Sequence, residues 1–149
     1  MFNIDVIMTT DLVTVQPSAT LAEARELMHD KRIHHLPVTG DGGELVGLLT
    51  LTNVLAATDS ILREPGNRIR AAESRVGDVM VTDIATVDQD ATLRQAALFL
   101  EKHRIGCLPV VTDGELKGII TDTDFVAVAI NLLEQLEETE PDDSMAEAS

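Results

Sequence analysis

The chain of 149 residues contains two copies of one unit. Residues 8–15 (MTTDLVTV) align with residues 80–87 (MVTDIATV), 72 positions later. The alignment continues from residues 32–38 (RIHHLPV) to residues 104–110 (RIGCLPV) and, after one deletion near Gly43, through the segments ELVGLLT and ELKGIIT. Two copies of one unit predict a molecule with a pseudo-twofold axis.

Each copy carries the same local signals. A capping box, formed around Thr20 in the first copy and Thr92 in the second, precedes apolar residues at helical spacing. A Leu-Pro-Val segment and a glycine-containing turn then predict a β-hairpin, and a second apolar helix follows. The sequence therefore predicts an α/β (α+β) fold of two β-α-β-β-α repeats related by a pseudo-twofold axis. The predicted elements are extended segments 13–15 and 85–87, first helices Leu21–Lys31 and Leu93–His103, hairpin strands 36–38 with Leu45–Thr50 and 108–110 with 116–121, and second helices that begin near Thr52–Asn53 and Thr123–Asp124.

The two copies are predicted to form one module. A unit of about 60 residues buries too little surface to be stable alone, so the copies are expected to pack together. We place the first at residues 4–64 and the second at residues 76–136, joined by a polar connector at 63–75. Residues 137–149 are rich in carboxylates and contain no Lys or Arg. They are expected to form a disordered acidic tail, either solubilising or interacting.

Composition narrows the classes of partner. Aromatic residues make up 2% of the chain, and the formal net charge is -15, so binding to nucleic acid is not expected. The single cysteine, Cys107, excludes an intrachain disulfide. No apolar run approaches the roughly 20 residues of a membrane span, and the N-terminus lacks signal-peptide features. We therefore expect a cytoplasmic protein that binds neither nucleic acid nor membranes.

Taken in order and found twice, these motifs resemble a known family. The Met-Thr start, the Leu-Pro-Val strand and the Gly-x-x-Thr-x-x-Asp end are similar to those of a tandem pair of cystathionine-β-synthase (CBS) domains, a Bateman module. The resemblance covers residues 4–133. It implies a stand-alone regulatory protein that binds an adenosine-containing ligand (AMP, ADP, ATP, S-adenosylmethionine or a dinucleotide) between its repeats. It also implies a flat homodimer that signals by conformational change to a regulated protein, whose identity the sequence does not specify, with no cofactor.

The segment GIITDTD, residues 118–124, predicts the main binding group. A carboxylate at Asp124 accepts hydrogen bonds from ribose hydroxyls, and the Thr121 hydroxyl with the amides of a helix start donates to phosphate oxygens. The same Thr-x-x-Asp pattern is also a plain capping box, and this alternative stays open. In the first copy, Thr50 is followed by Asn53, which has one neutral acceptor atom, so a single good site is favoured.

Two histidines precede the first Leu-Pro-Val strand. The resemblance places the residues before this strand near the adenine or the phosphates, which makes His34 and His35 candidates to meet an anionic ligand and the aligned Gly106 and Cys107 the ligand-binding candidates of the second copy. For the histidines, simple packing is the alternative. Adjacent strand residues point to opposite faces, so the pair is not expected to chelate a metal. Cys107 has no orienting base and is interpreted as a small buried hydrophobic residue rather than a nucleophile.

The start of each repeat supplies the remaining candidates. The resemblance places these residues around the adenine, through backbone contacts and apolar packing, while the alternative is that they belong to the core. The sequence does not indicate which segment serves which cleft. The candidates are Thr10, Leu12 and Val13 in the first repeat and Thr82, Ile84 and Ala85 in the second.

Catalytic motifs are absent from the sequence. It has no Walker A loop, no dinucleotide glycine fingerprint, no zinc-protease motif and no nucleophile elbow, so we expect no enzyme activity. The alternative function is a structural interaction module with vestigial clefts. The apolar second helices predict a homodimer, and a homodimer is compatible with either function.

Overall fold

The computed structural model describes residues 3–62 and 73–139, the side chains of residues 59–62 excepted. Each half contains a helix, a two-stranded antiparallel hairpin and a second helix in the same order, which confirms the predicted mixed fold of two repeats. The elements are a 3-10 turn at Ile4–Val6, α1 at Leu21–Lys31, β1 at His35–Thr39, β2 at Leu45–Thr50, α2 at Leu51–Leu62, α3 at Val76–Val79, α4 at Leu93–His103, β3 at Cys107–Thr112, β4 at Glu115–Thr121 and α5 at Asp122–Thr139.

Complete capping boxes begin both first helices. The Thr20 hydroxyl accepts a hydrogen bond from the Glu23 amide, and the Glu23 carboxylate accepts one from the Thr20 amide. Thr92 and Gln95 form the same pair at the start of α4. Each N-cap is worth about 1 kcal/mol. This local chemistry explains why the predicted bounds of α1 and α4 agree with the structure.

The hairpins bury their centres in equivalent ways. Leu36 lies opposite Leu49 in the first hairpin, and Leu108 lies opposite Ile120 in the second. All four side chains are fully buried. The register shifts by one residue at the same place in both hairpins, so the repeat extends to this irregularity.

A short extended segment adds to each hairpin through one parallel bridge, Val15 to Val38 and Val87 to Val110. Val15 donates to the carbonyl of Pro37 at 3.1 Å, and Thr39 donates to the carbonyl of Val15 at 2.9 Å. Backbone N–H groups two residues apart in a strand point to the same side, so an N–H at residue 37 would point, like that of Thr39, to the short segment at Val15 and not to β2. The proline therefore removes no hydrogen bond of the hairpin.

The two repeats exchange their first segments. Ile4 donates to the carbonyl of Ala91 and lies in the core of the second repeat, fully buried. Val76 donates to the carbonyl of Ala19 and lies in the core of the first repeat, also fully buried. Each core is therefore completed by a segment from the other half, which ties the halves together.

The exchanged segments also extend the hairpins. Thr9 and Ile119 exchange two backbone hydrogen bonds of 2.9 and 3.0 Å, and Leu48 and Val81 form the equivalent pair. Met8 and Met80 pack over the glycines of the central strands, Gly118 and Gly47. A methyl group on Gly118 would lie 2.9 Å from the backbone carbonyl oxygen of Thr9, so glycine is required there for close approach, whereas the nearest atoms to a methyl group on Gly47 belong to the flexible side chain of Met80.

Helix α5 ends the described chain. It continues to Thr139, so residues 137–139, which were expected to belong to the disordered acidic tail, are helical. The rest of that tail and most of the expected connector lie outside the described residues. Several apolar side chains of α5 are more than half exposed, among them Val126, Ile130 and Leu133. In the part of the chain that the structure describes, no helix combines the length and apolarity needed to cross a membrane.

Candidate ligand-binding clefts

The main cleft has a volume of about 600 Å³ and lies where the two repeats meet. It is bounded by the segment at residues 9–13, the turn between α1 and β1, and the junction of β4 with α5. Its lining residues are Thr9, Asp11, Leu12, Val13, Arg32, Ile33, His34, His35, Pro37, Ile119, Thr121, Asp122 and Thr123.

The small cleft uses the equivalent pieces of the molecule with the repeats interchanged, and its volume is about 210 Å³. The segment that begins the second repeat and the turn before β3 face the end of β2. Its lining residues are His35, Leu48, Thr50, Val81, Asp83, Ile84, Ala85, Ile105, Gly106 and Cys107. Each cleft therefore combines the starting segment of one repeat with the strand–helix junction of the other.

The exchange of segments produces this combination. Because Thr9 is hydrogen-bonded to Ile119 on β4, the following residues Leu12 and Val13 lie near Thr121 rather than near Thr50. The pairing of Leu48 with Val81 has the same effect on the small cleft. The question of which segment serves which cleft is thus answered by these long-range backbone contacts.

The structure places most of the predicted site residues on the two clefts. Leu12, Val13, His34, His35 and Thr121 line the main cleft, and Thr50, Ile84, Ala85, Gly106 and Cys107 line the small one with His35. Four predicted residues line neither of these two clefts: Thr10, Thr82, Asn53 and Asp124.

Asp124 is half-buried and supports the strand–helix junction of the main cleft. One of its carboxylate oxygens, Oδ2, accepts hydrogen bonds from the Thr121 amide at 2.8 Å and from the Thr121 hydroxyl at 3.3 Å. Among the described residues, no hydrogen bond is formed by the other oxygen, Oδ1. The carboxylate therefore caps the helix and retains acceptor capacity for another donor.

Asn53 repeats this cap in the first repeat. Its Oδ1 accepts hydrogen bonds from the Thr50 hydroxyl at 2.6 Å and from the Thr50 amide at 3.3 Å. The Thr50 hydroxyl in turn accepts a hydrogen bond from the Asn53 amide at 3.0 Å. The amide side chain thus reproduces the geometry of the cap. It lacks the charge and the second acceptor oxygen of a carboxylate.

Arg32 contributes a positive charge to the main cleft. It follows α1 with a left-handed backbone, φ 55°, a conformation that usually favours glycine. Its pseudo-symmetric equivalent, Arg104, has φ 52° and lines neither of the two clefts. The left-handed turn directs the chain from α1 towards β1, which begins at His35 and is directly preceded by His34.

His35 lies at the point where both clefts meet. Burial lowers the pKa of its imidazole; the Asp122 carboxylate acts in the opposite direction and raises that pKa, and His34 lowers it further. The net effect favours a neutral ring at neutral pH. A neutral imidazole has one donor and one acceptor nitrogen, so it accommodates either kind of ligand group.

Cys107 is an inert member of the core edge. Its side chain is buried, and burial, with smaller effects from Asp122 and Asp124, raises the pKa of the thiol to about 12. A thiol with that pKa is almost fully protonated at neutral pH and is a poor nucleophile. This agrees with its interpretation as a small hydrophobic residue.

Several lining residues were missed by sequence reasoning. Arg32 and Asp122 both lie near predicted site residues. Arg32 is in a turn and Asp122 is the first residue of a helix, and neither belongs to a sequence motif that indicates binding. Asp122 did carry one signal, because it stands where the first repeat has Leu51. Across the described ranges, there is no cluster of three or more histidine, cysteine or acidic side chains suited to a metal ion.

Comparison with known sequences agrees with this architecture. A sequence model described as the CBS domain matches residues 4–60 and again residues 76–131. The chain belongs to the CBS-domain family. CBS-domain pairs are regulatory modules, and this assignment confirms the predicted resemblance.

Solved structures with the same fold cover nearly the whole chain. A Vibrio cholerae protein named for a role in acetoin utilization (AcuB) is 39% identical, with a TM-score of 0.80 over 95% of this chain and 99% of that one. The protein CBSX2, solved in complex with AMP, is 30% identical, with a TM-score of 0.75 over 89% of this chain and 98% of that one.

Curated relatives differ in length. A CBS domain-containing protein of Dictyostelium discoideum is 30% identical over 132 residues, which are 86% of this chain and 91% of that protein. The chain spans only 22% to 41% of the length of four other relatives, including homoserine O-acetyltransferases of Methanocorpusculum labreanum and Methanohalophilus mahii. The CBS pair thus occurs both in short proteins and as part of much longer ones.

Proposed function

We propose that this CBS pair is a regulatory sensor that binds an adenosine-containing ligand in the main cleft and has no catalytic activity of its own. The observation that carries the proposal is the junction of β4 with α5, where Thr121 and the helix start face the apolar residues Leu12 and Val13 across one cleft. A volume of about 600 Å³ lies within the range of small-molecule sites. The AMP complex of CBSX2, a relative that matches nearly the whole fold, supports the same ligand class.

The proposed ligand has three kinds of contact. The adenine packs against Leu12 and Val13, which supply apolar surface. The ribose hydroxyls donate to the oxygen of Asp124 that has no partner in the described chain, and this requires a small rearrangement because Asp124 lies beside the cleft. A phosphate lies near Thr121, the amides at the start of α5 and the Arg32 guanidinium.

We propose one strong site per chain rather than two. The small cleft, at about 210 Å³, falls below the usual range for small-molecule sites. Its junction carries Asn53 in place of a carboxylate, and among its lining residues there is no Lys or Arg. Both differences weaken binding of a ribose phosphate relative to the main cleft.

Signalling follows from the exchanged segments. A ligand in the main cleft contacts residues 9–13, whose preceding residues belong to the second core, and the turn between α1 and β1, which belongs to the first. Binding therefore acts on the relative position of the two repeats, because both supply walls of the cleft. A ligand that prefers one arrangement shifts the population towards it.

A second candidate function is a structural interaction module, which the surface of α5 favours. Val126, Ile130 and Leu133 recur at helical spacing and are 52% to 57% exposed. An apolar stripe of this kind is typical of a protein–protein interface. We propose that it forms a homodimer in either case; ligand binding distinguishes the sensor from the structural module.

A thermal-shift screen tests the proposal. The compounds are AMP, ADP, ATP, S-adenosylmethionine and a dinucleotide, with GMP as the control for nonspecific phosphate binding. A ligand at 100 times its dissociation constant stabilises the native state by about 2.7 kcal/mol, which corresponds to a rise in Tm of about 5–10 °C for a domain of this size. If no adenosine compound raises the Tm more than GMP does, the sensor proposal is wrong and the interaction module stands.

A further inference from the structure

His35 and Asp122 both border Gly106, next to the main cleft. A methyl group placed on Gly106 would lie 3.6 Å from His35 Nε2 and 3.6 Å from Asp122 Oδ2. Both groups therefore border Gly106, and a methyl group at this position would make ordinary van der Waals contact with each of them. His35 lines both clefts, whereas Asp122 lines the main one.

This arrangement occurs once, in spite of the pseudo-twofold axis. The Asp122 amide donates to the carbonyl of Gly106 at 3.1 Å, and the Leu51 amide donates to the carbonyl of His34 at 2.9 Å, so Asp122 and Leu51 hold equivalent positions. The residue equivalent to His35 is Cys107. The second copy of the pair is thus a thiol and a leucine, and neither carries charge at neutral pH.

Charged and titratable side chains from several parts of the two clefts surround His35. Asp122 belongs to α5 and His34 directly precedes β1, while Asp11 and Arg32 line the main cleft and Asp83 lines the small one. Apart from its histidines, the main cleft is lined by two carboxylates and one guanidinium. A phosphate brought into this cleft adds further negative charge, which a proton bound between the carboxylate and the phosphate would offset.

We propose that His35, which lines both clefts and shares the main one with Asp122, binds a proton when a phosphate-bearing adenosine ligand enters the main cleft. The proposal rests on the proposed function and deepens it, because it makes affinity for a nucleotide depend on pH while affinity for the uncharged nucleoside stays nearly constant. Because His35 also lines the small cleft, its positive charge when protonated faces that cleft as well. Occupancy of the main cleft therefore changes the electrostatic potential in the small one.

The sign of the effect follows from linkage. Burial holds the pKa of His35 below its ordinary value in the free protein, and a nearby phosphate raises it. Nucleotide binding therefore takes up a proton at pH values between the two pKa values, and affinity rises as the pH falls through that window. A rise of one pKa unit on binding corresponds to a tenfold gain in affinity across it.

Calorimetry with AMP and adenosine between about pH 5.5 and 8 tests the proposal, using the full chain and its His35→Gln variant. AMP has a phosphate ionisation near pH 6 itself, so the readout is the ratio of the parent and variant affinities for AMP at each pH. We expect this ratio to rise about tenfold towards low pH, and the ratio for adenosine to stay flat. The matched control is His29→Gln, since His29 is exposed and does not line the main cleft.

A second measurement follows the His35 ring directly by NMR. In the free protein, Asp122→Asn should lower the pKa of His35, because it removes a neighbouring negative charge but keeps an acceptor for the Thr123 amide. AMP should raise that pKa and adenosine should not. If AMP binds but leaves the titration of His35 unchanged, or if the AMP ratio is independent of pH, this inference is wrong and the proposed function stands. If neither compound binds the parent and no other adenosine compound of the thermal-shift screen does, the proposed function fails as well.

Discussion

Replacing Asp124 by asparagine separates the two roles of this residue, helix cap and ribose acceptor. The first repeat already shows the outcome for the cap, because Asn53 Oδ1 accepts hydrogen bonds from both the amide and the hydroxyl of Thr50. Asp124→Asn can form the same bonds to Thr121. We therefore expect the free energy of unfolding to change by less than about 0.5 kcal/mol, below the cost of losing a cap.

The expected loss of affinity is larger. A hydrogen bond to a charged group contributes about 1.5–3 kcal/mol and one to a neutral group about 0.5–1.5 kcal/mol, so exchanging a carboxylate for an amide costs about 1–1.5 kcal/mol. That difference is roughly a tenfold loss in affinity for AMP. Asp124→Ala should lose the cap as well, with about 1 kcal/mol of stability and tenfold to hundredfold in affinity.

Isothermal calorimetry and urea unfolding measure the two effects separately. Thr121→Val should show a smaller loss of affinity in the same direction. The reciprocal variant, Asn53→Asp, should strengthen binding at the small cleft or add a second site per chain. If Asp124→Asn binds AMP as the parent does and Asp124→Ala loses only stability, then Asp124 is a cap alone and the assignment of the ribose is refuted.

Four further predictions concern other parts of the molecule. Arg32→Gly should change the free energy of unfolding by less than about 1 kcal/mol, because relief of the left-handed strain is offset by the entropy of glycine. The same variant should bind AMP about fivefold more weakly, whereas the control Arg104→Gly should bind AMP as the parent does. If calorimetry gives Arg32→Gly the same affinity for AMP as the parent, Arg32 does not belong to the site. Gly118→Ala should destabilise the fold and weaken AMP binding more than Gly47→Ala does. The methyl group at residue 118 would lie 2.9 Å from the backbone carbonyl oxygen of Thr9 as well as against the side chain of Met8, whereas the methyl group at residue 47 would lie against the flexible side chain of Met80. Urea unfolding that finds Gly47→Ala the less stable variant would contradict this. Ending the chain at Thr139 should leave Tm and ligand binding nearly unchanged, and a large loss of either would show that the acidic tail docks on the body. Light scattering should show a dimer at micromolar concentration, whereas a monomer would argue against an interface formed by α2 and α5.

Local structure followed from the sequence because its determinants are local. The capping boxes at Thr20 and Thr92, each closed by a side chain three residues later, predict the first helices with their observed bounds. The hairpin turn at Asp113 and Gly114 has left-handed backbones at both residues, as the Asp-Gly pair predicts. Internal repetition then extends these assignments from one half of the molecule to the other.

The composition of the clefts could not be obtained in the same way. It depends on the hydrogen bonds of Thr9 with Ile119, which join residues far apart in the chain and leave no periodic pattern. The sequence also predicted a lining position for Asp124, whereas its carboxylate is turned to the Thr121 amide beside the cleft. Asp122, two residues earlier, lines the cleft instead. A spacing motif identifies the junction but does not decide which of its side chains faces the ligand.

A crystal structure of the full chain grown with AMP tests the central claim most directly. The proposal predicts one AMP per chain, with the adenine against Leu12 and Val13, the ribose within hydrogen-bond distance of Asp124, and the phosphate near Thr121 and Arg32. AMP bound outside the main cleft, or a main cleft without AMP at a concentration that saturates the protein in solution, would contradict it.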